Sequence, residues 1–296
     1  YDVPGRDEKW RKETIEALDH DEAKFNQEYC CEFLGSSGTL ISGGKLKELY
    51  PETPLVQGEG FIQYERPEKD KQYVITADVA RGKGLDYSTF TIFDINEMPY
   101  RQVAVFRDNY IGPIDFASVL NRCGKLYNEA GILVEINDIG GQVVDVLLLD
   151  FGYENLLYTQ NSGRSGKVLS GGFGKNVDNG IRTTKLVKGT GCSMLKMLVE
   201  QNQLFIRDYE TIQELSRFSK KANSYEAESG FHDDLVMNLV LFAWMTDQAY
   251  FKDMTDINTL TRLREKTEEQ IEEEMLPFGF IDDGDNDFVH DDGIRL

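Results

Sequence analysis

The segment Tyr73-Val-Ile-Thr-Ala-Asp78 is a short, mostly apolar and β-branched run that ends in a carboxylate, directly before a glycine-rich turn. Two further runs of the same character follow at Thr89–Asp94 and Gln102–Arg107. Short β-rich runs separated by turn residues are typical of neighbouring strands. The three runs therefore predict the first strands of a sheet.

Beyond these strands, helical and strand patterns alternate along the chain. Ile114–Asn128 has a helical pattern, and Ile132–Ile136 has the pattern of a buried strand. The further predicted elements are a helix at Val143–Leu149, a strand at Asn155–Tyr158, a helix at Thr183–Gln201, a strand at Leu204–Ile206, a helix at Thr211–Phe218 and a final helix from His232 to about Tyr250. This order predicts an α/β fold, with a mixed β-sheet flanked by helices on both faces.

The chain divides into three parts by composition. Residues 1–72 are predicted to form a linker, helical over residues 7–34, and an irregular approach segment. Residues 73–250 carry the predicted domain. Residues 251–296 hold 14 acidic and 5 basic residues, which is typical of a disordered tail. Because the amino end has neither an initial Met nor a signal region, we expect a fragment of a longer protein.

Charge and cysteine use limit the classes of function. No apolar run approaches the roughly 18–20 residues that a membrane span needs, so no membrane partner is expected. The four cysteines show neither Cys-x-x-Cys spacing nor a nearby pair of histidines, which argues against zinc or disulfides and fits a reducing cytoplasm. A net charge of −20 argues at first against a nucleic-acid partner.

One stretch departs from this acidic average. Residues 161–190 contain seven glycines and a single acid, Asp178. The six basic residues there are Arg164, Lys167, Lys175, Arg182, Lys185 and Lys188. Glycines let a backbone approach phosphates closely, and phosphate contacts carry no sequence preference. We therefore predict that the six residues contact DNA; the alternative is an ordinary solvated surface.

Four carboxylates occupy positions typical of catalytic acids. Asp78 ends the first strand, and Asp233 and Asp234 open the last helix. Glu135 interrupts the apolar run Ile132–Ile136, where a lone charge is costly unless it is paired or bound to a metal. Converging acids raise each other's pKa, and a divalent cation removes that repulsion.

The ligand chemistry predicts which cation is bound. Oxygen ligands without a Cys or His cluster favour Mg²⁺ or Mn²⁺ over zinc. Two such ions, about 3.5–4 Å apart, can activate a water and stabilise the leaving oxygen of a phosphodiester. We predict Asp78, Glu135 and Asp234 as catalytic metal ligands, Asp233 and Asp86 as further candidate ligands, and no organic cofactor.

Most of these residues also have a structural interpretation. A strand-end Asp such as Asp78 is often a turn residue, and Asp233 suits the N-cap of its helix. Asp86 is either a further ligand or a turn residue. His232 either orients water or the scissile phosphate, or is structural. Glu135 is the hardest to explain structurally, because an unpaired carboxylate inside a strand is rare.

The motifs together resemble a known family. They are Ala77-Asp78, Gly82-x-Gly84-x-Asp86-Tyr87, Val134-Glu135-Ile136-Asn137, Thr184-Lys185-x-x-Lys188 and His232-Asp233-Asp234. Over about residues 3–250 the chain is similar to the nuclease domain of the large terminase subunit of tailed phages, the contractile-tailed group in particular. The resemblance implies an RNase H/RuvC-like fold with Asp78, Glu135 and Asp234 as the catalytic acids.

The resemblance also implies a function and partners. It implies a metal-dependent endonuclease that cuts concatemeric double-stranded viral DNA in the host bacterial cytoplasm. An ATP-binding motor domain before the fragment, a portal protein and a small terminase subunit are implied as well. Two alternatives stay open: a Holliday-junction resolvase or RNase H-type hydrolase, and a non-catalytic module that grips DNA and docks on the portal.

Overall fold

A computed structural model describes residues 38–161, 166–170, 177–222 and 224–256, together with Trp10, Lys12 and Thr14. The strands are β1 (Val56–Gly58), β2 (Phe61–Gln63), β3 (Tyr73–Asp78), β4 (Ser88–Asp94), β5 (Tyr100–Asp108), β6 (Gly131–Val134), β7 (Tyr158–Asn161), β8 (Lys167–Ser170), β9 (Val177–Asn179), β10 (Leu204–Phe205), β11 (Phe218–Lys221) and β12 (Ser224–Ala227). The helices are α1 (Gly43–Glu48), α2 (Pro113–Leu126), α3 (Gly140–Asp145) with a π-helical continuation (Val146–Asp150), α4 (Lys185–Glu200), α5 (Tyr209–Ser216) and α6 (Asp234–Thr246). Residues 249–256 are also helical.

The main sheet is mixed, as predicted. Its strand order is β1-β2-β5-β4-β3-β6, and β10 pairs with β5. Strands β3, β4 and β5 form an antiparallel meander, whereas β6 runs parallel to β3. A parallel neighbour requires a crossover connection, which α2 provides. Two small sheets, β8-β7-β9 and β11-β12, lie outside this main sheet.

Helices cover both faces of the sheet, which confirms the predicted α/β arrangement. Side chains alternate along β3, so that Val74 belongs to the core formed with α4 and α6. Ile75 and Ala77, on the other face of β3, belong to the opposite core, formed with α2 and α3. Within the described part of the chain, no helix is both long and apolar enough to cross a membrane.

The folded unit extends beyond the predicted limits of residues 73–250. Leu40 and Ile41 are buried in the core, and β2 extends the sheet beside β5. Past residue 250, Phe251 is 1% exposed and its ring contacts that of Phe242. Short edge strands between Gly and Pro residues have weak patterns, so the sequence indicated only an irregular segment there. The predicted helix over residues 7–34 lies outside the described residues except for Trp10, Lys12 and Thr14, and so does the predicted tail from residue 257 onward.

Candidate metal centre

The end of β3 brings Asp78 beside Glu135. In the parallel pair β3–β6, Ala77 lies opposite Val134, and the N–H of Glu135 donates to the carbonyl oxygen of Ala77 over 2.8 Å. The two residues that follow this pair, Asp78 and Glu135, therefore leave the sheet side by side. Their carboxyl groups approach each other within hydrogen-bonding reach.

Helix α6 brings Asp234 to the same place. The hydroxyl of Thr76 donates to the carbonyl oxygen of Asn238 over 2.9 Å. Asp78 lies two residues further along the same face of β3, and Asp234 lies one helical turn before Asn238. Two strand residues cover about 6.6 Å and four helical residues about 6 Å, so this contact sets Asp234 opposite Asp78.

Backbone and side-chain contacts hold Asp234. Its Oδ2 accepts the N–H of Tyr87 over 3.1 Å, and its carbonyl oxygen accepts the hydroxyl of Thr89 over 3.1 Å. His232 Nδ1 lies 3.7 Å from the same Oδ2. Burial raises the pKa of Asp234 to about 6, although the Tyr87 N–H and His232 oppose this shift. The predicted accessory residue His232 therefore contacts a predicted ligand directly.

Asp78 and Asp234 open onto a cleft of about 450 Å³, whose lining does not include Glu135. Five aspartates line it: Asp78, Asp86, Asp138, Asp233 and Asp234. Burial raises the pKa of Asp78 well above its usual value, and the neighbouring carboxylates of Glu135, Asp234 and Asp233 raise it further. The predicted candidate Asp86 is exposed at the rim of this cleft.

The donor set fits a hard divalent cation. In the described ranges, no group of three or more Asp, Glu, His or Cys side chains is placed to hold a metal ion. The Asp78 and Glu135 carboxyls contact each other, and Asp234 accepts the Tyr87 N–H. Within the same ranges, no ion pair to Asp78 or Glu135 is present; the cation Lys188 reaches Asp233 at 3.8 Å. Clustered carboxylate oxygens are the ligands that Mg²⁺ and similar ions use.

Two residues that the sequence analysis did not assign a role fix Glu135. The Asn137 side-chain amide donates to Glu135 Oε1 over 2.8 Å, and its carbonyl oxygen accepts the N–H of Thr183 over 3.0 Å. A Cβ at Gly140 would lie 1.8 Å from the carbonyl oxygen of Glu135, so only glycine fits there. Asn137 follows Glu135 by two residues, and this closeness in sequence was the feature that could have predicted their contact.

The start of α6 corrects the interpretation of Asp233 as the residue whose side chain caps this helix. Asp233 occupies the N-cap position, but its side chain makes no capping hydrogen bond. Instead, Oε2 of Glu214 in α5 accepts the N–H groups of Leu235 and Val236 over 2.8 and 3.3 Å. Burial raises the pKa of Glu214 to about 8, although Arg107 opposes the shift. The carboxylate of Asp233 is therefore not used as a helix cap.

Two of the six predicted DNA contacts have internal partners. Lys167 is buried and forms an ion pair with Asp178 inside the small sheet β8-β7-β9. Lys188 is directed to Asp233, with 21% of its side chain exposed. A phosphate contact needs an exposed cation. The ammonium group of Lys167 is instead buried against Asp178 on β9.

Of the four remaining predicted DNA contacts, two lie in the described part of the chain. Arg182 and Lys185 are exposed on either side of Thr183 and Thr184, next to the Asn137–Thr183 contact. The predicted contacts outside the described residues are Arg164 and Lys175. The cleft also presents two basic side chains that the sequence analysis did not select, Arg81 and Lys83. Arg81 forms a two-pronged ion pair with Asp138 at 2.6 Å.

An antiparallel meander with a parallel fourth strand, and acids at the ends of β3 and β6 and at the start of α6, defines the RNase H-like class. A sequence profile described as "Terminase RNaseH-like domain" matches residues 75–259. The chain belongs to this family, which confirms the terminase interpretation of the sequence.

Solved terminase nucleases have the same fold. The large terminase nuclease of thermophilic phage G20c with bound magnesium is 21% identical, with a TM-score of 0.53 over 71% of this chain and 97% of that chain. The same nuclease with bound cobalt gives 21% identity and a TM-score of 0.51 over 71% and 97% of the two chains. A further structure of it gives 22% identity and a TM-score of 0.50 over 69% and 96%.

Proposed function

We propose that this domain hydrolyses phosphodiester bonds of double-stranded DNA with Mg²⁺ or Mn²⁺ held by Asp78, Glu135 and Asp234. One observation carries the proposal: Asp78 at a strand end and Asp234 at a helix start line one cleft, the Glu135 carboxyl contacts that of Asp78, and no ion pair reaches Asp78 or Glu135 in the described part of the chain. The similar G20c nuclease has been solved with bound magnesium and with bound cobalt, which supports a divalent cation.

The protein groups around the centre have separable tasks. When bound, one or two divalent cations would stabilise charge on the phosphate and activate water for attack. Asn137 fixes the orientation of Glu135, and the N–H of Tyr87 fixes that of Asp234. The exposed Arg182 and Lys185 would hold DNA phosphates beside the cleft, which binds duplex DNA without reading its sequence.

We extend the proposal to the packaging assembly. In such an assembly the domain would trim concatemeric viral DNA in the host bacterial cytoplasm, beside an ATP-driven motor domain, a portal protein and a small terminase subunit. Membership of the terminase RNaseH-like family supports this extension.

The decisive experiment is cleavage of supercoiled plasmid in Mg²⁺ or Mn²⁺, compared with EDTA. Glu135→Gln should reduce cleavage more than about 100-fold, because loss of an outer partner alone costs about 10- to 100-fold. Glu154→Gln is the matched control, since Glu154 is exposed and is not part of the cleft lining. Circular dichroism checks that both variants are folded. Near-normal cleavage by Glu135→Gln would contradict the site assignment.

Other substrates separate the alternatives. A strong preference for four-way junctions would favour a resolvase, and a preference for RNA–DNA hybrids would favour an RNase H-type hydrolase. DNA binding without cutting in either metal would favour a non-catalytic gripping module. The proposed terminase activity predicts cutting of plain duplex with no requirement for branches or RNA.

A further inference from the structure

Behind the acidic cleft, Glu214 makes an unusual contact with the start of α6. The first N–H groups of a helix lack intrahelical partners, and the N-cap side chain normally accepts one of them. Here Asp233 makes no such bond, and Glu214 accepts the N–H groups of Leu235 and Val236 instead. The Glu214 side chain is 7% exposed, and these two N–H groups follow directly after Asp234.

Arg107 connects Glu214 to the other side of Asp234. Its guanidinium lies 3.5 Å from Oε1 of Glu214 and 3.8 Å from the ring centroid of Tyr87. The backbone N–H of Tyr87 in turn donates to Oδ2 of Asp234 over 3.1 Å. Glu214 is therefore connected to Asp234 by two sets of contacts. One set is the hydrogen bonds to the start of α6, and the other is the contacts through Arg107 and Tyr87.

We propose that Glu214 and Arg107 are positioning residues that hold the Asp234 carboxylate in the metal centre and so set its affinity for divalent cations. The inference rests on the proposed function, in which Asp234 is a ligand. An ordinary cap would need only Asp233, which stands at the N-cap with a suitable side chain. Using Glu214 leaves the carboxylate of Asp234 on the cleft lining, whereas Oδ2 of Asp233 accepts the N–H of Ala227 over 3.4 Å and lies 3.8 Å from Lys188.

The test is the dissociation constant for Mn²⁺, measured by titration calorimetry without DNA. Glu214→Ala should raise it about tenfold or more, the range for loss of an outer-sphere partner. Glu214→Gln keeps an oxygen acceptor for the two N–H groups and should raise it less. Arg107→Lys should also raise it, because an ammonium lacks the planar fork that stacks on Tyr87.

A matched control separates positioning from general destabilisation. Asp94 is also a buried carboxylate that accepts hydrogen bonds, but it lies at the far end of β4 from the cleft. Asp94→Asn should lower stability and leave the Mn²⁺ dissociation constant unchanged. Raising the Mn²⁺ concentration should restore cleavage by Glu214→Gln towards the parental rate, which a purely structural defect would not allow.

The outcomes distinguish this inference from the proposed function. If Glu214→Ala does not fold, Glu214→Gln and Arg107→Lys carry the test. Unchanged Mn²⁺ affinity in both, beside a parent protein that binds Mn²⁺ and cuts DNA, would overturn the inference alone. A parent protein that binds no Mn²⁺ and cuts no DNA would overturn the proposed function itself.

Discussion

The antiparallel ladder between β3 and β4 carries an aspartate at each end, and the two aspartates have opposite surroundings. Asp78 pairs in register with Thr89 at one end, and Asp94 pairs with Tyr73 at the other. Asp94 is 2% exposed and accepts hydrogen bonds from the backbone and side-chain amides of Asn96 at 3.0 and 2.6 Å.

Cations complete the environment of Asp94. The Arg101 guanidinium donates to its Oδ2, and the ammonium of Lys71 lies 3.3 Å away. Burial would raise the pKa of Asp94, but the hydrogen bonds from Asn96 and the contacts with Arg101 lower it below its usual value. At the other end, burial raises the pKa of Asp78 and the neighbouring carboxylates add to that effect.

This contrast shows how a functional site can be recognised among acids that the fold shields from solvent. Residue type and position at the end of the strand ladder are shared, so neither of them separates Asp78 from Asp94. The sign of the neighbouring charges separates them: Asp94 has its counter-ions within the fold, and Asp78 has other carboxylates. A buried acid without internal compensation is costly, and a site for external cations explains why the chain retains it.

The largest stability effect is expected at the compensated end. Asp94→Asn removes the charge that faces Arg101 and Lys71, which leaves two cations without their buried partner. Breaking a fully buried pair costs roughly 3–5 kcal/mol; because these cations are partly exposed, we expect a loss of about 2 kcal/mol. Urea unfolding measures it. Equal stability of parent and variant would show that Asp94 is not the stabilising partner described here.

The same contribution should depend on pH. The folded-state pKa of Asp94 is lowered, so its stabilisation is present above the unfolded value of about 3.9 and is lost as pH falls through the folded pKa. The difference in unfolding free energy between parent and Asp94→Asn should therefore shrink between pH 6 and pH 3. A difference that stays constant over this range would contradict the lowered pKa.

A smaller effect of opposite sign is expected at the uncompensated end. Asp78→Asn removes one of the mutually repelling carboxylates, so it should stabilise the metal-free domain by roughly 1 kcal/mol, or about 2–4 °C in melting temperature. Scanning calorimetry in EDTA measures this. Added Mg²⁺ should then stabilise the parent protein more than the variant, because binding stabilises the folded state by mass action. A variant less stable than the parent in EDTA would show that the cluster is internally balanced.

The smallest expected effect concerns the approach of DNA. Arg182 and Lys185 are exposed near the Asp78 end, whereas Arg66 and Lys69 are exposed in the segment leading into the Asp94 end. Replacing Arg182 and Lys185 with Ala should reduce the salt slope of DNA binding by about two, close to one per phosphate contact. Replacing Arg66 and Lys69 removes the same charge and should leave the slope unchanged. Equal slopes in both double variants would indicate a solvated surface at Arg182 and Lys185.

Local patterns predicted the helices and central strands well. The predicted helix Thr183–Gln201 is observed as Lys185–Glu200, and the predicted strand Gln102–Arg107 lies within Tyr100–Asp108. The hairpin β11-β12 was missed, because a sequence such as Phe218-Ser-Lys-Lys221 is too polar to show a strand pattern. Edge strands of this kind are specified by their pairing partners, which no short window of sequence contains.

Sequence patterns were enough to locate the carboxylates that interrupt or end apolar elements, since the charge at Asp78 or Glu135 stands out from the apolar residues around it. Which charges meet depends on the packing of the whole fold. Thr76 reaches Asn238 across 162 positions, and Glu214 caps α6 across 21. Contacts over such separations depend on strand register and on how α6 lies across the sheet, and these arise only when the whole core packs.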